Sequence, residues 1–455
     1  MSEPLDAAQL ALAAAMKAGA AAADAVAVES DSLEARVRGE EIDFVKQARE
    51  RKLGVRALVR GAHGTRSAIT STSDLSEPAL HAIAAEAVAL ARATAEDPAA
   101  GLPEDGFADP AAAPDLALAD PADRGVRAEA LIDAARRAER AGRAVDPRIE
   151  NSEGSSASAS FARIAYANSA GFAGAYSAAS HALFSEPIAR ADGSMQRDYW
   201  MTAARSLAAL ESPEAVGRRA AERALRRLGA CRVATCEVPV IFDPLTAASL
   251  WGQVAGLISG YSIYRGTSYL AGKLGEIVAS DQVTLTDDAC RPAGLGSRPF
   301  DGEGLPSRRT AVIERGRLAS YLLDTYSARK VGGRSTGSAS RSASSAPGVG
   351  ASNLGLAPGS ASLEEIIADT PRGFLVTELI GMGFNPTTGD YSRGAAGLWI
   401  EGGELAYPVE EVTIAANFAD MLRGIDAVGS DLLWLSRIGS PSVRVARMTV
   451  AGGKG

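Results

Sequence analysis

Histidine and cysteine are both scarce, three of each in 455 residues. Cys231, Cys236 and Cys290 are an odd set, too few for a disulfide framework, and they suit a reducing compartment, read here as the cytoplasm. His63, His81 and His181 stand far apart, and no His-Glu-x-x-His or Cys-x-x-Cys pair occurs, so a standard zinc motif is excluded. Excess positive charge is missing too: the net charge of −8 argues against a surface for nucleic acid. Long apolar runs are lacking. The uncharged stretches 164–185 and 244–264 are broken by Ser, Asn, Gly and His181 in the first case and by Gln253, Ser and Gly in the second, so neither reads as a lipid-facing helix. The first residues, MSEPLD, are acidic where a secretory signal would be basic, so export is not expected.

What remains is 46% hydrophobic residues, enough for roughly three domains' worth of core. Leu5, Ala8, Leu12, Ala15 and Gly19 predict an opening helix. Alternating runs at 24–30, 33–38, 42–47, 53–60 and 65–72 then predict a meander of short strands parted by charged turns. A helix over 77–95 closes this unit. Segment 97–123, rich in Ala, Pro, Asp and Gly, reads as a linker, and helix, strands and helix recur over 124–144, 148–210 and 213–228. From 237 onward Gly-punctuated strands dominate. The expected class is α+β: an N-terminal α+β domain (1–96), the linker, a central α+β region (124–230) that could share one sheet with it, and a mainly antiparallel, barrel-like C-terminal domain (235–455).

Several motifs fail on their own chemistry. GTSYLAGK (266–273) has a phosphate loop's outline, but its glycines are spaced too widely and Leu274 stands where a magnesium-binding hydroxyl belongs. Gly-Met-Gly at 381–383 is stopped by Pro386 and reads as a turn. Ser335, in Gly-Arg-Ser-Thr-Gly, has the pattern of a nucleophile elbow without a following helix or a downstream histidine, and the Ser/Ala/Gly tract 338–350 reads as a surface loop. Asp287, Asp288, Asp301 and Glu303 could hold magnesium or calcium, or act as hydrolytic acids; their commoner role is to solvate turns. Arginines 218, 219, 223, 226 and 227, interleaved with Glu, read as a solvated helix face.

One set of segments is specific. RGTSYLAGKLGEIVAS (265–280), VTLTDD (283–288), FDGEGLPSRRT (300–310), GMGFNPTTGDYS (381–392), GLWIE (397–401) and LAYPV (405–409) together resemble the TldD/PmbA family of bacterial peptidase subunits, in its PmbA/TldE branch. In the TldD branch a His-Glu-x-x-x-His helix and a later cysteine hold a catalytic zinc. The matching positions here are Trp251, Gly252 and Gly256, and no cysteine follows Cys290. The resemblance therefore implies a non-catalytic subunit, with no catalytic residue and no metal of its own, whose TldD-like partner carries the zinc in a heterodimer that cleaves or matures unfolded peptides. Peptide would add as a strand to an exposed β-edge. Gly381, Met382, Gly383, Phe384, Asn385 and Tyr391 are the candidate peptide or interface residues. Two other readings stay open: an independent hydrolase using the acids or Ser335, and a regulatory protein of the gyrase-modulator type. Neither membrane nor nucleic acid is expected as a partner.

Overall fold

Charges that look like turn signals in the first sixty residues are instead cross-strand ion pairs. The computed structural model, which describes residues 4–453, pairs Asp31 with Arg49 at 2.8 Å and Glu29 with Arg51 at 3.0 Å. The expected short strands at 24–38 and 42–60 therefore merge into two long ones, β1 (Ala22–Arg38) and β2 (Glu41–Arg60), paired from Ala22↔Leu58 to Arg38↔Glu41 with one register shift between Arg36 and Val37. Opposite charges directly across an antiparallel pair stabilise pairing, so polar residues do not end a strand here.

β3 (Thr65–Thr72) follows on the edge of β2, and β1 pairs on its other side with β4 (Ile149–Asn168). β5 (Ala173–Ala191), β6 (Ser194–Arg197) and β7 (Trp200–Ala204) complete one curved antiparallel sheet, ordered β3-β2-β1-β4-β5-β6 with β7 also on β5. This half-barrel runs through both the N-terminal and central regions. Helices α1 (Pro4–Lys17) and α2 (Glu77–Ala93) cover one end through a core made largely of alanine, including Ala8, Ala11, Ala25, Ala57, Ala84, Ala87 and Ala165. The other end is covered by α3 (Ala128–Arg143) and α4 (Pro213–Leu225), which approach so closely that a Cβ on Gly217 would lie 1.9 Å from the carbonyl oxygen of Ala138.

The C-terminal half is built on β8 (Cys236–Phe242). Strands Glu404–Asn417, Asp390–Glu401, Arg372–Ile380, β8 and Val443–Ala451 follow one another, and pairing of the first with the last closes a barrel. Within the barrel only the β8 contact with Arg372–Ile380 is parallel, so the expected mainly antiparallel, barrel-like domain is what forms. A second sheet of short strands, including Leu285–Asp288, Leu354–Leu356 and Ile438–Ser440, sandwiches α5 (Pro244–Leu257) against the barrel. Bulky side chains fill this core: Trp251, Phe242, Phe374, Trp399 and Phe418 are all essentially inaccessible.

Segment 97–123 lies along the seam between the two halves. Asp97 accepts from Tyr326 at 2.7 Å, Arg329 donates to the carbonyls of Ala99 and Leu102, and Leu102 and Leu116 are buried. The tract 338–350, expected as a surface loop, is docked. Ser338, Ala339 and Ala343 are buried, and the Ala343 carbonyl sits so near β2 that a Cβ on Gly54 would meet its oxygen at 1.5 Å. Small residues on both sides are what permit this approach. Among the described residues no helix is long and apolar enough to cross a membrane, and the three cysteines are free thiols.

Candidate functional site

Asp243 begins the helix onto which the family's metal motif would fall. Its Oδ1 accepts from the Thr246 N–H at 2.9 Å and Pro244 takes the first helical position, a strong N-terminal signal. The same carboxylate accepts from Arg223 Nη1 at 3.1 Å, while Arg223 Nε donates to Asp198 and Nη2 to the Thr377 carbonyl. Arg223 and Arg227 are buried, not solvated as the charge pattern implied, because they tie α4 to α5 and to the barrel strand, Arg227 through Glu378.

Along α5, Leu250, Trp251, Val254 and Leu257 face the core. Trp251 is fully buried and its Nε1 donates to Ser440 Oγ at 2.9 Å. A Cβ on Gly252 would touch only Ile438, at 3.5 Å, and one on Gly256 would meet nothing within 4 Å. The helix face thus has room for side chains at both glycines and carries none. Zinc needs thiolate, imidazole or carboxylate donors in a near-tetrahedral set; an indole N–H is a donor only. Among the described residues no three His, Cys, Asp or Glu side chains converge as a metal site. The residues at this position do not fit the metal.

The hairpin at 381–391 splits the candidate peptide-contacting residues. Met382 is 92% exposed, and Gly381 and Asn385 also face solvent. Phe384 packs on Phe418, ring centroids 4.9 Å apart, and Tyr391 lies in the core, where burial pushes its phenol up to about 12. Gly383 is required because a Cβ there would lie 1.6 Å from the Ser392 carbonyl oxygen. Strand Asp390–Glu401 is paired on both sides, so it offers no ladder for an added strand. Another strand does. β3 pairs only with Leu53–Arg60 of β2. Along 41–50 the outer edge of β2 therefore has no partner strand among the described residues, and Ile42, Phe44 and Val45 are exposed there.

The acids are not solvated turns either. Asp301, 1% exposed, accepts from the N–H groups of Glu303, Leu305 and Ala339; Asp287 accepts from Ser352 N–H at 2.8 Å; Glu303 accepts from Thr325 N–H at 2.8 Å. Asp288 accepts from Cys290 N–H. Burial pushes the Asp287 and Asp301 carboxyls up, and burial together with the neighbouring Asp301 charge lifts Glu303 to about 7. These carboxylates organise loop backbone. Ser335 Oγ donates to the Leu323 carbonyl and accepts from Gly337 N–H, the signature of a local turn. His63 and His81 stay on the periphery of the first half; His181 is buried 3.1 Å from Asp123, and burial lowers its pKa against the pull of that carboxylate.

Sequence reasoning overlooked the charged lock at the seam. Asp24 in β1, fully buried, accepts from Arg56 Nε at 3.0 Å and also pairs with Arg341, from the docked tract. Burial opposes its ionisation, yet the two guanidiniums more than offset this and hold the carboxyl below its usual range. An Asp inside the small, apolar run AADAVAV was the available signal.

The chain matches the models of all three PmbA/TldA metallopeptidase domains: domain 1 at residues 23–91, the central domain at 122–228 and the C-terminal domain at 235–452. It is 39% identical over 390 residues to the metalloprotease PmbA of Escherichia coli O157:H7, covering 86% of this chain and 84% of that protein. It is 35% identical over 439 residues to a PmbA homologue of Haemophilus influenzae, covering 96% and 94%. A proposed modulator of DNA gyrase from Bacteroides thetaiotaomicron superposes with a TM-score of 0.90 at 28% identity, covering 98% of both chains. TldE of Thermococcus kodakarensis shares the fold, with a TM-score of 0.86 at 24% identity over 97% of this chain and 99% of that one. The chain belongs to the PmbA/TldD metallopeptidase family.

Proposed function

We propose that this chain is the non-catalytic, PmbA/TldE-type subunit of a cytoplasmic TldD/TldE metalloprotease, in which a TldD-like partner supplies the zinc and this chain helps enclose the chamber and hold unfolded peptide. The observation that carries the reading is the α5 face, where Trp251 is committed to Ser440 and Gly252 and Gly256 offer only backbone. A retained fold with one packed indole and two bare glycines at these positions is what a structural subunit requires. The open ladder along 41–50 supports pairing with an extended segment, whose main-chain hydrogen bonds would give affinity with little regard to sequence. An independent hydrolase is disfavoured because Ser335 and the buried acids are occupied by backbone partners.

The test is reconstitution. An unfolded peptide is incubated with this chain, with a TldD-like chain, and with the mixture. Efficient cleavage in the mixture alone, abolished by a zinc chelator, is expected. Equal cleavage by this chain alone would overturn the reading. The gyrase-modulator description of the Bacteroides relative supports a second reading; a pull-down that recovers a topoisomerase and no TldD-like chain would favour it.

A further inference from the structure

Where the first sheet meets the loops at 290–306 and 338–352, a cavity of about 230 Å³ opens. Arg205, Arg298, Arg341 and Arg437 line it, with Asp301 as the sole carboxylate among the lining residues. Asp301 accepts from three backbone N–H groups, and the nearby Arg298 charge favours its ionised form. Arg205 donates to the carbonyls of Ala179, Gly294 and Leu295, neutral acceptors that leave its charge unbalanced. The Arg341 side chain is 1% exposed and shares the Asp24 carboxylate with Arg56, which also feels the Glu303 carboxyl. Arg341 Nε and Nη2 are buried with no hydrogen-bond partner, and the same holds for Nε and Nη2 of Arg298. Buried charged donors are rarely left unpaired, and where they are, a water, ion or ligand is the usual missing partner.

The geometry points to a carboxylate-binding site: we propose that the Arg298 and Arg341 guanidiniums together hold one carboxylate group, with Arg437 at the exposed rim. A guanidinium fork matches a planar, two-oxygen anion. Tyr176, Phe300 and Val26 line the same cavity and suit the carbon attached to such a group, whereas Asp301 disfavours a dianion. The cavity has the volume of roughly eight waters, room for a carboxylate and its first residue but not for a folded chain. A free small carboxylate and the C-terminus of a peptide share this chemistry. The inference does not depend on the subunit reading, because binding is measured on this chain alone.

The experiment is calorimetric titration of the full-length chain with acetate, N-acetyl-Ala-Ala, its C-terminal N-methylamide and inorganic phosphate. N-acetyl-Ala-Ala is expected to bind about tenfold tighter than its amide, and Arg298→Gln to remove that preference while far-UV circular dichroism stays unchanged. Acetate binding as tightly as the dipeptide acid would assign the site to small carboxylates; weaker acetate binding would assign it to peptide termini. Equal binding of acid and amide, no binding of either, or tighter binding of phosphate would overturn the proposal. Should Arg298→Gln not fold, the acid-to-amide ratio of the unaltered chain and of Arg437→Gln decides the question.

Discussion

The two halves of the molecule solve the packing problem with opposite materials. Beneath α1 and α2 the first half is filled with alanine, whereas the barrel half is filled with Trp, Phe, Leu and Ile around α5. Alanine gains little per residue from burial but lets helix and sheet backbones approach closely; large side chains bury more area each and leave larger voids when removed. The lesson concerns function. The helix that would carry the family's metal motif lies in the bulky half, where Trp251 is structural, while the unpaired guanidinium donors of Arg298 and Arg341 lie where the first sheet meets the loops at 290–306 and 338–352.

Substitutions and a pH titration break or sharpen that contrast. Trp251→Ala should cost about 3–5 kcal/mol in denaturant unfolding, since it empties one of the two largest fully buried side chains and removes the N–H that Ser440 Oγ accepts. Asp24→Asn should cost about 3–5 kcal/mol by leaving Arg56 and Arg341 buried without their counter-charge, and should increase hydrogen exchange in the 338–350 tract first. Ala84→Leu, overfilling the alanine core, should destabilise by about 1–3 kcal/mol, whereas a conservative swap such as Leu250→Met in the barrel half should stay below about 1.5 kcal/mol.

A further effect is in pH. Glu303 ionises at about 7 in the fold against an ordinary 4.5, so the native state holds its proton longer than the unfolded chain. Its contribution is full below pH 4.5 and is lost as pH rises through 7 and beyond, a decline on the order of 3 kcal/mol. Asp24 acts in the opposite sense, with a folded pKa below its ordinary 3.8, so its contribution disappears as pH falls below that value. Urea midpoints measured across pH should therefore decline at both ends, and Glu303→Gln should flatten the neutral limb alone.

Much of the barrel half was legible because its strands alternate cleanly between Gly-rich turns and because Asp243-Pro244 announces α5. The first half was harder. Glu29, Asp31, Arg49 and Arg51 read as breaks until the register places them opposite one another. Arg223, Arg298 and Arg341 come from segments distant in sequence from their partners or from each other, so no local pattern marks their burial; Asp287, Asp301 and Glu303 looked like ordinary turn acids for the same reason. The proposed match of Trp251, Gly252 and Gly256 to the family's metal positions rests on counting back from the 265–280 segment. The open edge of β2 required knowing where β3 stops.

The central claim is that the α5 face carries no catalytic metal, and zinc analysis of the purified chain tests it most directly. After exposure to excess zinc and gel filtration, the chain is predicted to retain far less than one zinc per molecule, and Trp251→Phe to leave that value unchanged. One tightly held zinc per chain, lost together with peptide cleavage on chelation, would contradict the account.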